Sequence, residues 1–152
     1  MALPTKLTLE IVTPDRALLR EEVDEVVVPG SQGELGVLPG HTPLLSTLKI
    51  GELWYRQGQE KHFLSVAFGF CEVLPDRVTV LARIAERAED IDVTRAEEAK
   101  QRAEQRLAQM SDIDYERARA ALTKSLMRLQ VSSHAGIAGR VGKPRLPPPP
   151  QG

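Results

Sequence analysis

The frame Ile-Asp-x-x-Arg-Ala occurs twice, as IDVTRA at residues 91–96 and as IDYERA at 113–118. Each copy sets a carboxylate suited to capping a helix three residues before an arginine. The first N–H groups of a helix carry positive partial charge, so a cation beside them is unfavourable on its own. It becomes favourable when an anion is present, because those same N–H groups are ready-made anion ligands. The chemistry implied is the binding of an anion, a phosphate group above all.

Extending the comparison to 91–107 and 113–129 aligns Arg95, Arg102 and Arg106 with Arg117, Lys124 and Arg128, in steps of seven and four. At ~100° per residue, each trio occupies roughly 40° of helical arc beside the apolar stripe. In an antiparallel pair the two trios fall on the same edge. Glu97 and Glu104 fall on other faces and neutralise that edge poorly. Solvated flanking charges would give the same pattern, but they leave the mutual repulsion of six cations unrelieved.

Two helices must carry these side chains. Ala96, Ala99, Ala103, Leu107 and Met110 recur at threes and fours, which predicts a helix from 91 to about 110. SDID interrupts it and offers Ser111, Asp112 or Asp114 as the next N-cap. A second helix follows to about residue 131, with Ala118, Leu122, Ser125 or Leu126, and Leu129 inward. So short a link predicts an antiparallel hairpin. Its seam is alanine-rich and buries little area, so opening it costs only a few kcal/mol. A ligand at 100 times its dissociation constant adds ~2.7 kcal/mol to the closed form, enough to tip a nearly balanced pair of states.

Upstream the period changes from three-and-four to two. KLTLEIV alternates, VDEVVVPG is β-branched, and GELWYRQ, KHFLSVAFG, FCEVLPD and RVTVLARI follow at short intervals. This predicts an antiparallel sandwich or flattened barrel, with hairpin turns at QGQ (57–59) and PDR (75–77). Aromatic content is 4%, so the core must be aliphatic. Trp54 and Tyr55 alternate faces, one toward the core, and Cys71 is a small buried hydrophobe. His62 is a strand surface residue. After Val131 the composition turns to SSHAGIAGRVGKPRLPPPPQG, which predicts disorder ending in polyproline. The expected units are 1–85, 86–131 and 132–152.

The net charge of −1 gives no reason to expect nucleic acid. One cysteine excludes an internal disulfide framework, and no Cys/His spacing suits a metal. No acid–base pair or nucleophile set can be placed, so an enzyme is not expected. No secretory signal or membrane span is read.

The remaining distinctive stretch, PGSQGELGVLPGHTPLLSTLKIG at 29–51, is neither a P-loop nor a dinucleotide fingerprint. It reads as a tightly turned loop between sheets, with Glu34 and His41 at exposed turns as candidate partner contacts. The run PG-x-x-GELG-x-LPGH-x-PLL, then strands, then ID-x-x-RA opening a hairpin, resembles the epsilon subunit of F-type ATP synthase over residues ~5–131. The resemblance implies an all-β N-terminal sandwich of about ten antiparallel strands, followed by the two-helix hairpin. It implies a non-catalytic central-stalk subunit with no required cofactor, peripheral on the cytoplasmic face of the bacterial plasma membrane and held there only through the complex. His41 would face the gamma subunit and Glu34 the loops of the c-ring. The hairpin would extend toward the catalytic beta and alpha subunits to brake ATP hydrolysis. ATP, as a regulatory ligand, would hold it folded through Glu86, Ile91, Asp92, Arg95 and Ala96, with Arg102, Arg117, Lys124 and Arg128 on the phosphate side. Lys124 stands where binders of the family carry arginine, giving a point charge in place of a planar fork. The competing reading is a free-standing nucleotide-sensing or adaptor module built on the same hairpin.

Overall fold

The structure, a computed structural model, describes residues 3–109 and 114–136. Period-two alternation of aliphatic and polar residues produces eight strands: β1 (Leu7–Val12), β2 (Ala17–Val23), β3 (Glu25–Gly30), β4 (Gly33–Val37), β5 (Leu44–Leu48), β6 (Gly51–Gln57), β7 (Glu60–Leu74) and β8 (Arg77–Arg87). They pair in the order β2-β1-β8-β7-β5-β3-β4, with β6 joining β3 to β7. All ladders are antiparallel except β1–β8, which is parallel.

Eight strands stand where about ten were expected, in part because β7 is long and bent. Glu60–Val66 pairs with β6, and Gly69–Val73 pairs with β5, so one strand serves both layers of the sandwich. The bend falls at Phe68 and Gly69, with φ of 59° and 122°. A Cβ on Gly69 would overlap the carbonyl oxygen of Leu81, so only glycine lets β8 approach there. KHFLSVAFG and FCEVLPD are thus one strand, joined across a glycine whose presence suggested a break. The glycine-rich stretch 29–51 is likewise not all loop, since it contains β4 and β5.

Both expected turns are present as two-residue connections, Gly58-Gln59 and Pro75-Asp76. Gly58 takes φ 61°, the positive value that a hairpin twist asks of the first turn residue.

The core is aliphatic. Leu7, Leu9, Ile11, Val23, Val26, Val28, Val37, Leu53, Leu64, Val66, Val73, Val78 and Val80 are buried in it, and Tyr55 is its one aromatic ring. Each such side chain contributes about 1.5–3 kcal/mol on burial. His62 stacks on Tyr55 at 4.9 Å between ring centroids and is half-buried, further inside than a surface position.

A 3₁₀ turn (Ala88–Asp90) links β8 to α1 (Val93–Ala108); α2 runs Tyr115–Ser132, and a second 3₁₀ turn covers Ser133–Gly136. The regular chain therefore continues past the boundary expected at 131. Residues 137–152, with the polyproline run, and 110–113, with Ser111 and Asp112, lie outside the described residues. Asp114 occupies the cap position of α2 without a side-chain cap bond. The helical pair is antiparallel and its seam is made of small residues, with Ala96, Ala103, Ala118 and Ser125 buried. Leu126, one of the two alternatives for an inward position, is 46% exposed, and Ser125 takes the seam instead. No helix among the described residues is long and apolar enough to cross a membrane.

Candidate functional site between hairpin and sandwich

Strand register decides which side chains the sheet offers the hairpin. Glu52 pairs with Ser65 and Trp54 with Phe63 on β6–β7, and Ser65 pairs with Glu86 and Ala67 with Ile84 on β7–β8. Directly paired residues point to the same face, so these seven form one surface opposite the core. Helix α2 lies against it.

Glu86 sits near the end of β8, so it belongs to the sheet and not to the hairpin. Arg128 of α2 meets it: Nη2 donates to Oε2 at 3.0 Å, and Nε lies 2.7 Å from Oε1, in ion-pair contact with its N–H off the hydrogen-bond axis. Beside this pair a cleft of about 260 Å³ opens between the layers, lined by Ser65, Ala67, Ile84, Glu86, Ala99, Ala121, Lys124, Ser125 and Arg128. Three of the expected site residues, Glu86, Lys124 and Arg128, therefore converge on one cleft.

At the first helix start, Asp92 acts as the N-cap, its Oδ1 accepting from the Arg95 N–H at 3.1 Å. Ile91 is buried, in a small apolar cluster with Ala88 and Val131 that Phe63, Met127 and Ala135 flank. Ala96 is fully buried in the helical seam. Both are thus packing residues in this arrangement. Arg95 and Arg102 are exposed on α1. They share the helical face of Ala99 by their spacing of four and three. Arg117 lies elsewhere: with Arg106, Asp114 and Ala118 it lines a second, polar cleft of about 370 Å³ at the far end of the hairpin. The six cations thus divide, with Lys124 and Arg128 at the sandwich, Arg106 and Arg117 at the opposite end, and Arg95 and Arg102 open to solvent.

The hairpin is fastened at one further point. His134, in the closing 3₁₀ turn, stacks on Phe63 with centroids 4.1 Å apart and planes 13° from parallel. Its Nε2 lies 3.2 Å from Oε2 of Glu52. Burial holds the Glu52 carboxyl above its ordinary range; His134 opposes that shift and the nearby Glu34 charge adds to it. Sequence reading missed Ser65, Ala67, Ile84, Glu52 and Phe63. Their signal was the period-two alternation itself, which marks one face of β6–β8 for a partner layer without saying which layer.

Glu34 is exposed on β4, on a strand and not at a turn. His41 follows β4 in a turn, half-buried, with Nδ1 2.6 Å from the Thr42 carbonyl oxygen, where an Nδ1–H would donate. On the sheet face turned away from the hairpin, Phe70 and Leu81 are directly paired and 53% and 51% exposed, with Leu45 nearby at 68%.

Comparison with known proteins matches residues 6–88 to the beta-sandwich domain of the ATP synthase delta/epsilon chain and residues 89–133 to its long alpha-helix domain. The ATP synthase epsilon chain of Nitratidesulfovibrio vulgaris (strain DP4) is 55% identical over 130 residues, 85% of this chain and 97% of that one. That of Syntrophobacter fumaroxidans is 53% identical over 128 residues, 84% and 96% of the two chains. Among solved structures, a chain of the Euglena gracilis mitochondrial ATP synthase (OSCP/F1/c-ring, rotational state 1) shares the fold with a TM-score of 0.75 at 22% identity, over 90% of this chain and 84% of that one. A sandwich continuous with a two-helix hairpin, matched domain by domain along its length, makes this chain a member of the ATP synthase delta/epsilon family, an epsilon subunit of the F-type enzyme.

Proposed function

We propose that this epsilon subunit couples rotation to catalysis as a non-catalytic part of the central stalk and that its hairpin is a releasable brake on ATP hydrolysis. The sandwich docks on the gamma subunit and the c-ring, at the cytoplasmic face of the bacterial plasma membrane. The exposed Phe70–Leu81–Leu45 patch supports a protein contact there, because monomeric surfaces rarely leave large apolar side chains grouped. Released, the hairpin carries its cations to acidic surfaces of the catalytic beta and alpha subunits.

The observation that carries this reading is how little holds the hairpin down. Three buried residues (Ala88, Ile91, Val131), with their flanking neighbours and the contacts of Arg128 and His134, fasten it to the sandwich, and its own seam is mostly alanine. Such an attachment is worth a few kcal/mol, within reach of a ligand.

ATP is the ligand proposed. The cleft of about 260 Å³ is just below the usual range for small-molecule pockets, so it suits a single ring system and not a whole nucleotide. Apart from Glu86, Lys124 and Arg128 its lining is Ile84 with three alanines and two serines (Ser65 and Ser125), and Arg95 and Arg102 are exposed on α1, where they could meet phosphates outside it.

The test is an assembled complex carrying a chain that lacks residues 91–152. Assembly should persist and ATP hydrolysis should rise severalfold. Unchanged hydrolysis in a correctly assembled complex rejects the brake.

A further inference from the structure

The domain match ends at residue 133, one residue before the side chain that closes the hairpin onto the sheet. From the placement of that side chain, we infer that the 3₁₀ turn Ser133–Gly136 is a clasp: His134, seated on the Phe63 ring and against the Glu52 carboxylate, holds the end of α2 to β6 and β7 and biases the hairpin toward its docked position. The inference rests on the docked geometry alone and is independent of the brake and of ATP.

The turn is tied to α2 by more than sequence. The Ser132 Oγ donates to the Leu129 carbonyl at 2.7 Å and the Ser133 Oγ to the Gln130 carbonyl at 2.6 Å, capping the last turn of the helix. The Ser133 N–H also reaches the carbonyls at the helix end. His134 therefore moves with α2 as one piece. Ala135, next to it, packs on the Ala88–Ile91–Val131 cluster.

The sheet side is equally fixed. Phe63 and Glu52 stand on adjacent antiparallel strands, two residues out of direct register, since Phe63 faces Trp54 and Glu52 faces Ser65. A ring from another element can thus touch both. Stacking supplies apolar area with a preferred geometry, worth more than burial alone. The carboxylate supplies a partner that is mostly shielded from water: the side chains of Glu52 and His134 are 20% and 26% exposed. The two contacts demand the same ring position, so losing either weakens the other, which is the signature of coupling.

The experiment measures hairpin position in the full, isolated chain, without ATP or partner subunits. Spin labels on Gln59→Cys and Gln105→Cys, both exposed positions, report docked and undocked populations by electron–electron distance measurement. We expect His134→Ala to lower the docked-to-undocked ratio about fivefold, the upper range for one solvent-edge contact. Phe63→Leu, which keeps an apolar body but removes the stacking face, should do nearly the same, and the double variant should be no worse than either single one. The series is repeated in a Met127→Ala background, where a looser anchor brings opening into the measurable range. Equal docked ratios for the parent and His134→Ala in both backgrounds overturn the clasp, as do strictly additive losses in the double variant. Because the readout uses no motor, a failed clasp leaves the brake standing, and a failed brake leaves the clasp standing.

Discussion

Arg128 and Glu86 face each other across the boundary between α2 and β8, guanidinium to carboxylate, with contacts of 3.0 Å and 2.7 Å. Both side chains are about three-quarters shielded from water, so neither charge is well solvated without the other. Arg128→Ala should therefore destabilise the docked hairpin by about 2 kcal/mol, the usual range for a charged hydrogen bond with its partner left behind. Arg128→Lys should recover only part of this, because an ammonium cannot span both oxygens. The label-distance populations that report docking, read alongside urea unfolding, check both.

On the ATP reading, calorimetry with isolated chain separates the cations. Arg95→Ala should abolish measurable binding, and Lys124→Arg should tighten it severalfold by restoring a planar fork at the cleft. Equal heats for parent and both variants would discard the cleft at Lys124, with Arg95 outside it, as a nucleotide site.

Glu52 gives a pH dependence with a definite sign. Burial raises its carboxyl above the ordinary value of 4.5, so the folded chain prefers it protonated. The corresponding stability is fully present below that ordinary value and is lost as pH rises through the raised one. Glu34 contributes to the upward shift, so Glu34→Gln should bring the Glu52 titration down toward the ordinary range. Carboxyl NMR titration of the two proteins reads the difference, and Glu52→Gln should flatten this part of the stability profile.

Gly69→Ala should cost about 3 kcal/mol or more in urea unfolding, since it adds a Cβ both at φ 122° and against the backbone of Leu81. Gly36→Ala, with open space around its Cβ and no positive φ, is the control and should cost under about 1 kcal/mol.

Cys71 is buried in the core and burial pushes its thiol up to about 11. Alkylation by iodoacetamide at pH 8 should be negligible in the folded chain and rapid in urea. Fast labelling without denaturant would show that the sandwich opens locally around β7.

Much of this was legible in the residues. Alternation located β1, β6 and β8, the three-and-four rhythm located both helices, and Asp92 was readable as a cap because short acceptors before an apolar rhythm do little else as well. The glycines misled. Gly69 reads as a break between strands, yet it is the residue that keeps β7 continuous through its bend, and Gly33 and Gly36 sit within β4. Helical geometry put six cations on one edge of a hairpin, but spacing along a helix says nothing about a neighbouring sheet. Glu86 of β8 claims Arg128, and Arg106 and Arg117 gather at the far end. Glu52, Phe63 and His134 are 82 residues apart at their extremes (52 to 134), and no local pattern links them.

The connection from β8 to α1 has an outcome for how the two halves can part. Its five residues, Ala88 to Asp92, are the sole covalent road between them, and Ala88 and Ile91 are themselves sunk in the cluster that grips Val131. The joint is thus built from the same material as the lock. If the hairpin is released as proposed, no swing can begin while this lock and the Arg128 and His134 contacts hold, and once all give way nothing remains to guide a partial swing. Departure of the rods should be abrupt, a threshold event set by the sum of small grips, and intermediate angles should be scarcely occupied.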